Sequence, residues 1–414
     1  MSDFQYSNGE LHTERVALRE VAERYSTPVF VYSRAAIERQ WHAYNSPLGE
    51  RQHLVCYAVK ANSNLAVLGV LAQLGSGFDI VSIGELERVL KAGGDPAKVV
   101  FSGVGKRRDE METALDVGIK CFNVESMPEL LRLNELAAEK KVKAPVSLRI
   151  NPDVDAATHP YISTGLKENK FGISYEEALA TFLKASELEY IDLLGIDCHI
   201  GSQITSIAPY VDALGKLMSL IEELKAKGIH LQHIDVGGGL GIHYQDESPP
   251  DPGELIEAIC ETIDDTSYEL LFEPGRSIVG NAAVMLTRVE YIKKNSGRNF
   301  AIVDAAMNDM LRPALYDAWL SILPLNETHS VVPDTYDIVG PVCESGDFIG
   351  LDRTLALSEN DLLAVLSSGA YGFCMSSNYN SRPRAAEIMI DGDRMIEIRK
   401  RETIEGLMAG ESTI

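Results

Sequence analysis

The stretch Val55-Cys56-Tyr57-Ala58-Val59-Lys60-Ala61-Asn62 decides how the rest of the chain reads. An apolar run of strand-type composition ends on a lysine. As a boundary residue that lysine would simply reach for water. As a chemical residue it is a partly desolvated amine, neutral often enough to form a Schiff base with a carbonyl. The stretch alone leaves both readings open.

Apolar strand-like runs recur from this stretch onward, at about 53–59, 78–82, 99–103, 120–124, 145–150, 192–199, 232–236 and 269–273. Helix-patterned segments lie between them: Leu65 to Leu74, Ile83 to Ala92, Asp109 to Val117, Met127 to Lys141, Tyr175 to Ser186, Pro209 to Lys227 and Gly253 to Thr262. Ser82, Ser126 and Ser174 stand at helix starts as caps. This alternation implies parallel strands, and eight of them close into a (β/α)8 TIM-like barrel. An open doubly wound sheet is the alternative. In a barrel the chemistry sits at the C-terminal strand ends. Those ends are Lys60, Asp79, Ser102, Asn123, Arg149 with Asn151, His199, Asp235 and Glu273, all polar or ionisable.

From about Ser277 the apolar runs become short and alternating, as at Met285–Tyr291, Asn299–Val303, Tyr336–Val339, Leu362–Leu366, Ala385–Ile390 and Met395–Arg399. That pattern reads as an antiparallel β-sandwich or barrel. The expected division is a barrel over 32–276 and a β-domain over 277–414, with 1–31 packing onto the β-domain and Pro28–Tyr32 as a short strand.

Composition narrows the function classes. With 414 residues and 45% hydrophobic content, the chain can bury a large core and a smaller one. A balance of 38 basic against 61 acidic residues leaves a net charge of −23, which argues against nucleic acid or an anionic membrane as partner. Met1 to Glu10 is polar and carries no signal-peptide pattern, and no apolar run approaches the roughly 20 residues of a membrane helix. The six cysteines are scattered without metal-type spacing, which fits a reducing cytoplasm and no metal site.

Three further motifs bear on Lys60. Gly237-Gly238-Gly239-Leu240-Gly241 follows the seventh strand, where adjacent glycines let backbone N–H groups turn towards an anion. In barrels the loops after strands seven and eight are the usual phosphate site. The run differs from the dinucleotide and P-loop fingerprints, and a plain tight turn is its bland reading. Glu273-Pro274-Gly275-Arg276 leaves the eighth strand; its carboxylate can keep a ring nitrogen protonated and its turn can add N–H groups to the phosphate. His199, closing the sixth strand, can stack its flat imidazole on a flat cofactor, although a lone histidine is more often a core residue. Together these describe a pyridoxal 5'-phosphate pocket.

With these motifs in view the chain resembles the pyridoxal-phosphate decarboxylases of the alanine-racemase-like barrel type, and within them the diaminopimelate decarboxylases. The resemblance runs nearly the whole length. It rests on Tyr57–Asn62, His199–Ser202, Gly237–Gly241 and Glu273–Arg276, then on Arg312-Pro-Ala-Leu-Tyr316, Gly340–Ser345, Gly369–Tyr371 and Tyr379–Arg384. It implies that Lys60 carries the cofactor aldehyde. Asp79, His199, Ser202, Gly237, Gly238 and Gly239 belong to the implied cofactor site, as do Glu273, Pro274, Gly275, Arg276 and Tyr371. Arg276, Arg312, Tyr316, Glu344 and Tyr371 would meet the substrate. The site would be completed across a homodimer, with Cys343 and Glu344 supplied by the partner subunit and Cys343 as proton donor to Cα.

The substrate's chemistry agrees. meso-Diaminopimelate has an amino-acid head at each end, so its distal end needs both signs of charge. Arg276 and Arg312 suit the distal carboxylate and Glu344 the distal ammonium. Two arginines there would repel ornithine or arginine. The alternatives are a sibling decarboxylase acting on another carboxylated amino acid and a catalytically silent relative. Alanine racemases place an arginine at the ring nitrogen, where this chain offers Glu273. The segment His159–Gly165 to Lys170–Gly172 reads as a lid or an interface element.

Overall fold

The structure is a computed structural model that describes residues 3–155, 169–327 and 331–414. Contacts divide the chain into two compact units, one of residues 38–242 and 248–278, the other of 1–37, 243–247 and 279–414. The proposed lid residues His159–Gly165 lie outside the described residues.

The first unit is a closed parallel barrel. Its strands are β1 (His53–Ala58), β2 (Gly77–Ile80), β3 (Val99–Phe101), β4 (Cys121–Val124), β5 (Ala144–Asn151), β6 (Ile191–Asp197), β7 (His233–Asp235) and β8 (Glu269–Phe272). Each pairs with the next, and β8 returns to β1. Parallel strands covered on both faces must be apolar throughout, which is why they stand out as continuous runs. The helices follow the expected segments, from Leu65–Gln73 to Pro252–Thr262. Ser82 and Ser126 accept the N–H of Glu85 and Glu129 and so relieve two orphan donors. Ser174 takes the cap position differently: its hydroxyl donates to the Glu177 carboxylate at 3.0 Å and caps no N–H.

Inside the barrel, Cys56, Val100, Cys121 and Leu271 form one buried cluster. His233 is buried beside it, and desolvation holds its pKa down at about 3, so the ring is neutral. The ring fits because residue 195 is glycine; a Cβ there would stand 2.1 Å from His233 Nε2.

In the second unit one long strand, Ala283–Asn295, organises a nine-stranded sheet. It pairs antiparallel with Val29–Ser33, with Leu362–Val365 and, past a bulge, with Arg298–Val303. Most pairings are antiparallel, as the alternating runs imply. Two are parallel: Val29–Ser33 against Ala386–Asp391, and Arg298–Val303 against Asp334–Val339. Strand Phe348–Leu355 closes one edge; its Gly350, Asp352 and Arg353 hide it from an apolar pattern. Val29, Val31, Val284, Leu286, Ile388 and Ile390 pack with Leu18 and Val21 of helix Leu18–Tyr25, so the N-terminal residues are core.

Replacing Gly195 by alanine is expected to destabilise the protein by about 1–3 kcal/mol, because the His233 ring has nowhere to retreat in a packed layer. The midpoint of guanidinium chloride unfolding measures it; an unchanged midpoint would contradict the close contact.

Candidate active site

The barrel residues converge at the C-terminal strand ends. Lys60 lies in a single 3-10 turn, Val59–Ala61, just past β1. Its Nζ donates to Asp79 Oδ2 at 2.6 Å, and Asp79 is fully buried at the end of β2 while the lysine side chain is half-buried. The lysine is therefore no boundary residue. It points at a buried carboxylate.

The loop after β7 runs between the exits of β6 and β8. A Cβ on Gly237 would meet the Cys198 carbonyl at 2.3 Å, one on Gly238 the Glu273 carbonyl at 2.1 Å, and one on Gly239 the Gly201 carbonyl at 2.2 Å. Gly237 and Gly239 also have φ of +71° and +101°, which side chains resist. The run is a close three-way backbone approach, far from a plain turn. Gly237 N–H donates to Asp235 Oδ1, and Gly238 N–H to His199 Nδ1 at 3.2 Å. Among the described residues the N–H groups of Gly239 and Gly275 have no acceptor in the protein.

Because Gly238 donates to it, His199 Nδ1 is an acceptor, and the ring proton sits on Nε2. Desolvation, with the positive charges of Arg149 and Lys60, holds the pKa well below the ordinary histidine value. A neutral, flat ring results, suited to stacking.

Glu273, just past β8, accepts from Asn123 Nδ2 at 3.1 Å and Ser102 Oγ at 3.3 Å, and Asn123 also reaches Asp235. Desolvation, then the charges of Asp235 and Asp79, push its pKa well above the usual carboxylate range. Asp235 is pushed up to about 8, by burial first and by Asp197 second. A carboxyl buried among other acids is stabilised in its ionised form by an added cation, which a protonated ring nitrogen would be. Beyond Glu273, Arg276 Nη2 donates to Ser202 Oγ at 2.9 Å.

The remaining candidates, Arg312, Tyr316, Cys343, Glu344 and Tyr371, belong to the other unit. Arg312 is buried with its guanidinium 4.7 Å over the Tyr244 ring, and it opens the short helix Arg312–Tyr316 that also carries half-buried Tyr316. Cys343 and Glu344 are exposed on a loop that Asp347 ties down by accepting the N–H groups of Met307 at 2.6 Å and Val342 at 2.7 Å. Cys343 N–H donates to Asn380 Oδ1, which joins two of the motifs quoted from the sequence. Tyr371 is half-buried at φ +55°, an uncommon backbone for a tyrosine.

Free N–H groups at a glycine cradle, a buried carboxyl among other acids, a neutral imidazole and a lysine just past the first strand fit pyridoxal phosphate: dianion, ring nitrogen, ring face and aldehyde each find a partner. Comparison with known proteins agrees. Residues 34–280 match the model of the family described as pyridoxal-dependent decarboxylase, pyridoxal binding domain. The diaminopimelate decarboxylase of Pseudomonas aeruginosa is 61% identical, over 100% of both chains. The chain belongs to the diaminopimelate decarboxylase family.

Among solved structures, the diaminopimelate decarboxylase of Helicobacter pylori complexed with L-lysine superposes with a TM-score of 0.91 at 43% identity, covering 94% of this chain and 98% of that one. That of M. jannaschii reaches a TM-score of 0.94 at 37% identity, over 100% and 98%. Against this family background, sequence reasoning had passed over Asp197, which sits inside the apolar run of β6. It had named Ser102, Asn123, Arg149 and Asp235 only as strand ends. Asp347 had no signal beyond its place after a Gly-Pro motif.

Gly238→Ala is expected to weaken pyridoxal phosphate binding by about tenfold or more, since the β7 and β8 exits must separate to admit the methyl group. Equilibrium dialysis on the full chain, with circular dichroism to confirm folding, reads the effect; native affinity would overturn the cradle assignment.

Proposed function

We propose that the protein catalyses the pyridoxal-phosphate-dependent decarboxylation of meso-2,6-diaminopimelate to L-lysine and carbon dioxide, the last step of lysine biosynthesis. The observation that carries this reading is the end-to-end match to a diaminopimelate decarboxylase, which takes in the second unit as well as the barrel. L-Lysine, the compound bound in the Helicobacter pylori structure, is the product expected here.

When bound, pyridoxal phosphate supplies an aldehyde for the substrate amine and an electron sink for the pair left behind as carbon dioxide departs. Lys60 holds it through Nζ, with Asp79 as the lysine's counter-charge beforehand. The N–H groups of Gly239 and Gly275, with Tyr371, take the phosphate, and His199 covers the ring face. Glu273 would hold the proton at the ring nitrogen. Arg276 and Arg312 orient the distal carboxylate; Glu344 takes the distal ammonium. Cys343 returns a proton to Cα. Cys343 and Glu344 reach the site from the second subunit of a homodimer, which suits their exposure on one protomer. The setting is the cytoplasm. Among the described residues no helix is long and apolar enough to cross a membrane.

Three measurements test the reading. Carbon dioxide release should be fastest from meso-diaminopimelate and negligible from L-ornithine, L-arginine and L-lysine; ornithine turnover at an equal rate would sink the substrate assignment and favour a sibling decarboxylase. Arg312→Ala should lower kcat/KM for meso-diaminopimelate about 100-fold, as losing one partner of a charged, desolvated pair does. Lys60→Ala should abolish the absorbance band of the lysine–pyridoxal linkage. A wild-type chain without that band would indicate a silent relative.

A further inference from the structure

Charge inside the barrel does not balance. Asp79, Glu125, Asp197, Asp235 and Glu273 are all buried, and among the described residues the cations whose charge acts on Asp197 and Glu273 are Lys60 and Arg149. Two of the acids are matched. Asp79 pairs with Lys60 at 2.6 Å, and Glu125 pairs with Arg149 Nη1 at 3.1 Å while accepting the N–H groups of Gly103 and Gly172. The other three carboxyls, Asp197, Asp235 and Glu273, offer oxygens that lie within 4.8 Å of one another. Asp235 and Glu273 have Asn123 and further donors to satisfy them. Asp197 does not. It is 1% exposed, neither carboxyl oxygen has a hydrogen-bond partner among the described residues, and its nearest cation is Arg149 Nε at 3.8 Å. A buried carboxyl without a donor is costly to keep. The near neighbours of Asp197 include the Glu273 carboxyl.

We propose that Asp197 is a positioning residue that acts through Glu273, its carboxyl holding the proton between Glu273 and the ring nitrogen of bound pyridoxal phosphate. This rests on the role given to Glu273 above. A protonated ring supplies one positive charge to a group of three carboxyls, so negative potential from Asp197 falls on that proton whichever atom carries it. The neighbouring thiols of Cys56, Cys121 and Cys198 are pushed up by burial and stay neutral, and His199 is neutral too. In the empty barrel Asp197 is pushed well above the usual carboxylate range, by desolvation first and by Glu273 second; the positive charge of a protonated ring would draw it back towards the ionised form, and in that form its charge acts on the proton.

Asp197→Asn keeps the shape and removes the charge. In holoenzyme loaded with ring-15N pyridoxal phosphate, solid-state NMR of the ring nitrogen should show the proton lost about one pH unit or more lower than in wild type. Glu273→Gln should remove the titration altogether. The full chain without cofactor gives an independent readout. Carboxyls whose folded pKa is raised contribute stability that is complete below their unfolded value, about 4, and lost as pH rises through the folded value. For Asp235 that value is about 8. The wild-type thermal midpoint should therefore fall between about pH 4 and 8, and Asp197→Asn should flatten the fall. If Asp197→Asn unfolds the chain, Asp197→Ser takes its place with the same readouts. A ring-nitrogen titration unmoved by Asp197→Asn yet abolished by Glu273→Gln overturns the proposal and leaves Glu273 its role. A ring nitrogen indifferent to Glu273→Gln overturns both. Equal thermal profiles with and without Asp197 also overturn the coupling.

Discussion

The active-site end of the barrel depends on how closely three backbone segments approach one another. The exits of β6, β7 and β8 meet where Gly237, Gly238 and Gly239 stand within a Cβ's reach of three carbonyl groups. That approach does several things at once. Glu273 N–H reaches the Gly237 carbonyl at 2.7 Å, which sets where the Glu273 side chain begins. Gly238 N–H points at His199 and selects its tautomer. Gly239 leaves its own N–H without an acceptor among the described residues. Side chains in this loop would force the strands apart and undo all three together, so the glycines organise the site as much as they line it.

The second organising theme is uneven charge. Lys106, almost fully buried, is satisfied by the Gly103 and Asn123 carbonyls and by Glu129 at 2.7 Å, a closed structural arrangement. The carboxyls around Glu273 are arranged differently, with more negative groups than cations. Natural interiors usually pair buried charges. An interior left short of positive charge is ready for a cationic ring, and the same shortage makes the empty barrel sensitive to pH. In the second unit the charges close on themselves: Arg382 spans Asn308, the Asp304 carbonyl and Asp309, and so fixes the turn that carries Tyr379 and Asn380.

Much of this architecture was legible in the text of the chain. The eight barrel strands are buried on both faces, so each appears as an uninterrupted apolar run, and helix periodicity separates them. Lys60, His199, the glycine run and Glu273 stood out because polar or flexible residues interrupt those runs at their ends. Asp197 did not, because one acid inside Ile191–Asp197 next to Cys198 and His199 looks like part of the same exit; only the closing of the barrel brings β6 to β8 through β7. Strand Phe348–Leu355 was missed because Gly350 and Asp352 break its pattern, and its place comes from pairing with Asp334–Val339. Ser174 looked like a cap from its position, and a neighbouring glutamate claimed its hydroxyl instead.

Strand Val29–Ser33 lies between Ala283–Asn295 and Ala386–Asp391, bonded to both. During synthesis this strand leaves the ribosome first, and its two partners follow only after the entire barrel sequence has been made. The barrel's residues can therefore collect their own neighbours while the second sheet is still a waiting fragment. Until the last strands arrive, Val29 and Val31 are exposed apolar groups on an unpaired edge, open to any other strand nearby. The chain's two ends thus share one folding event, and truncating either end would strand the other.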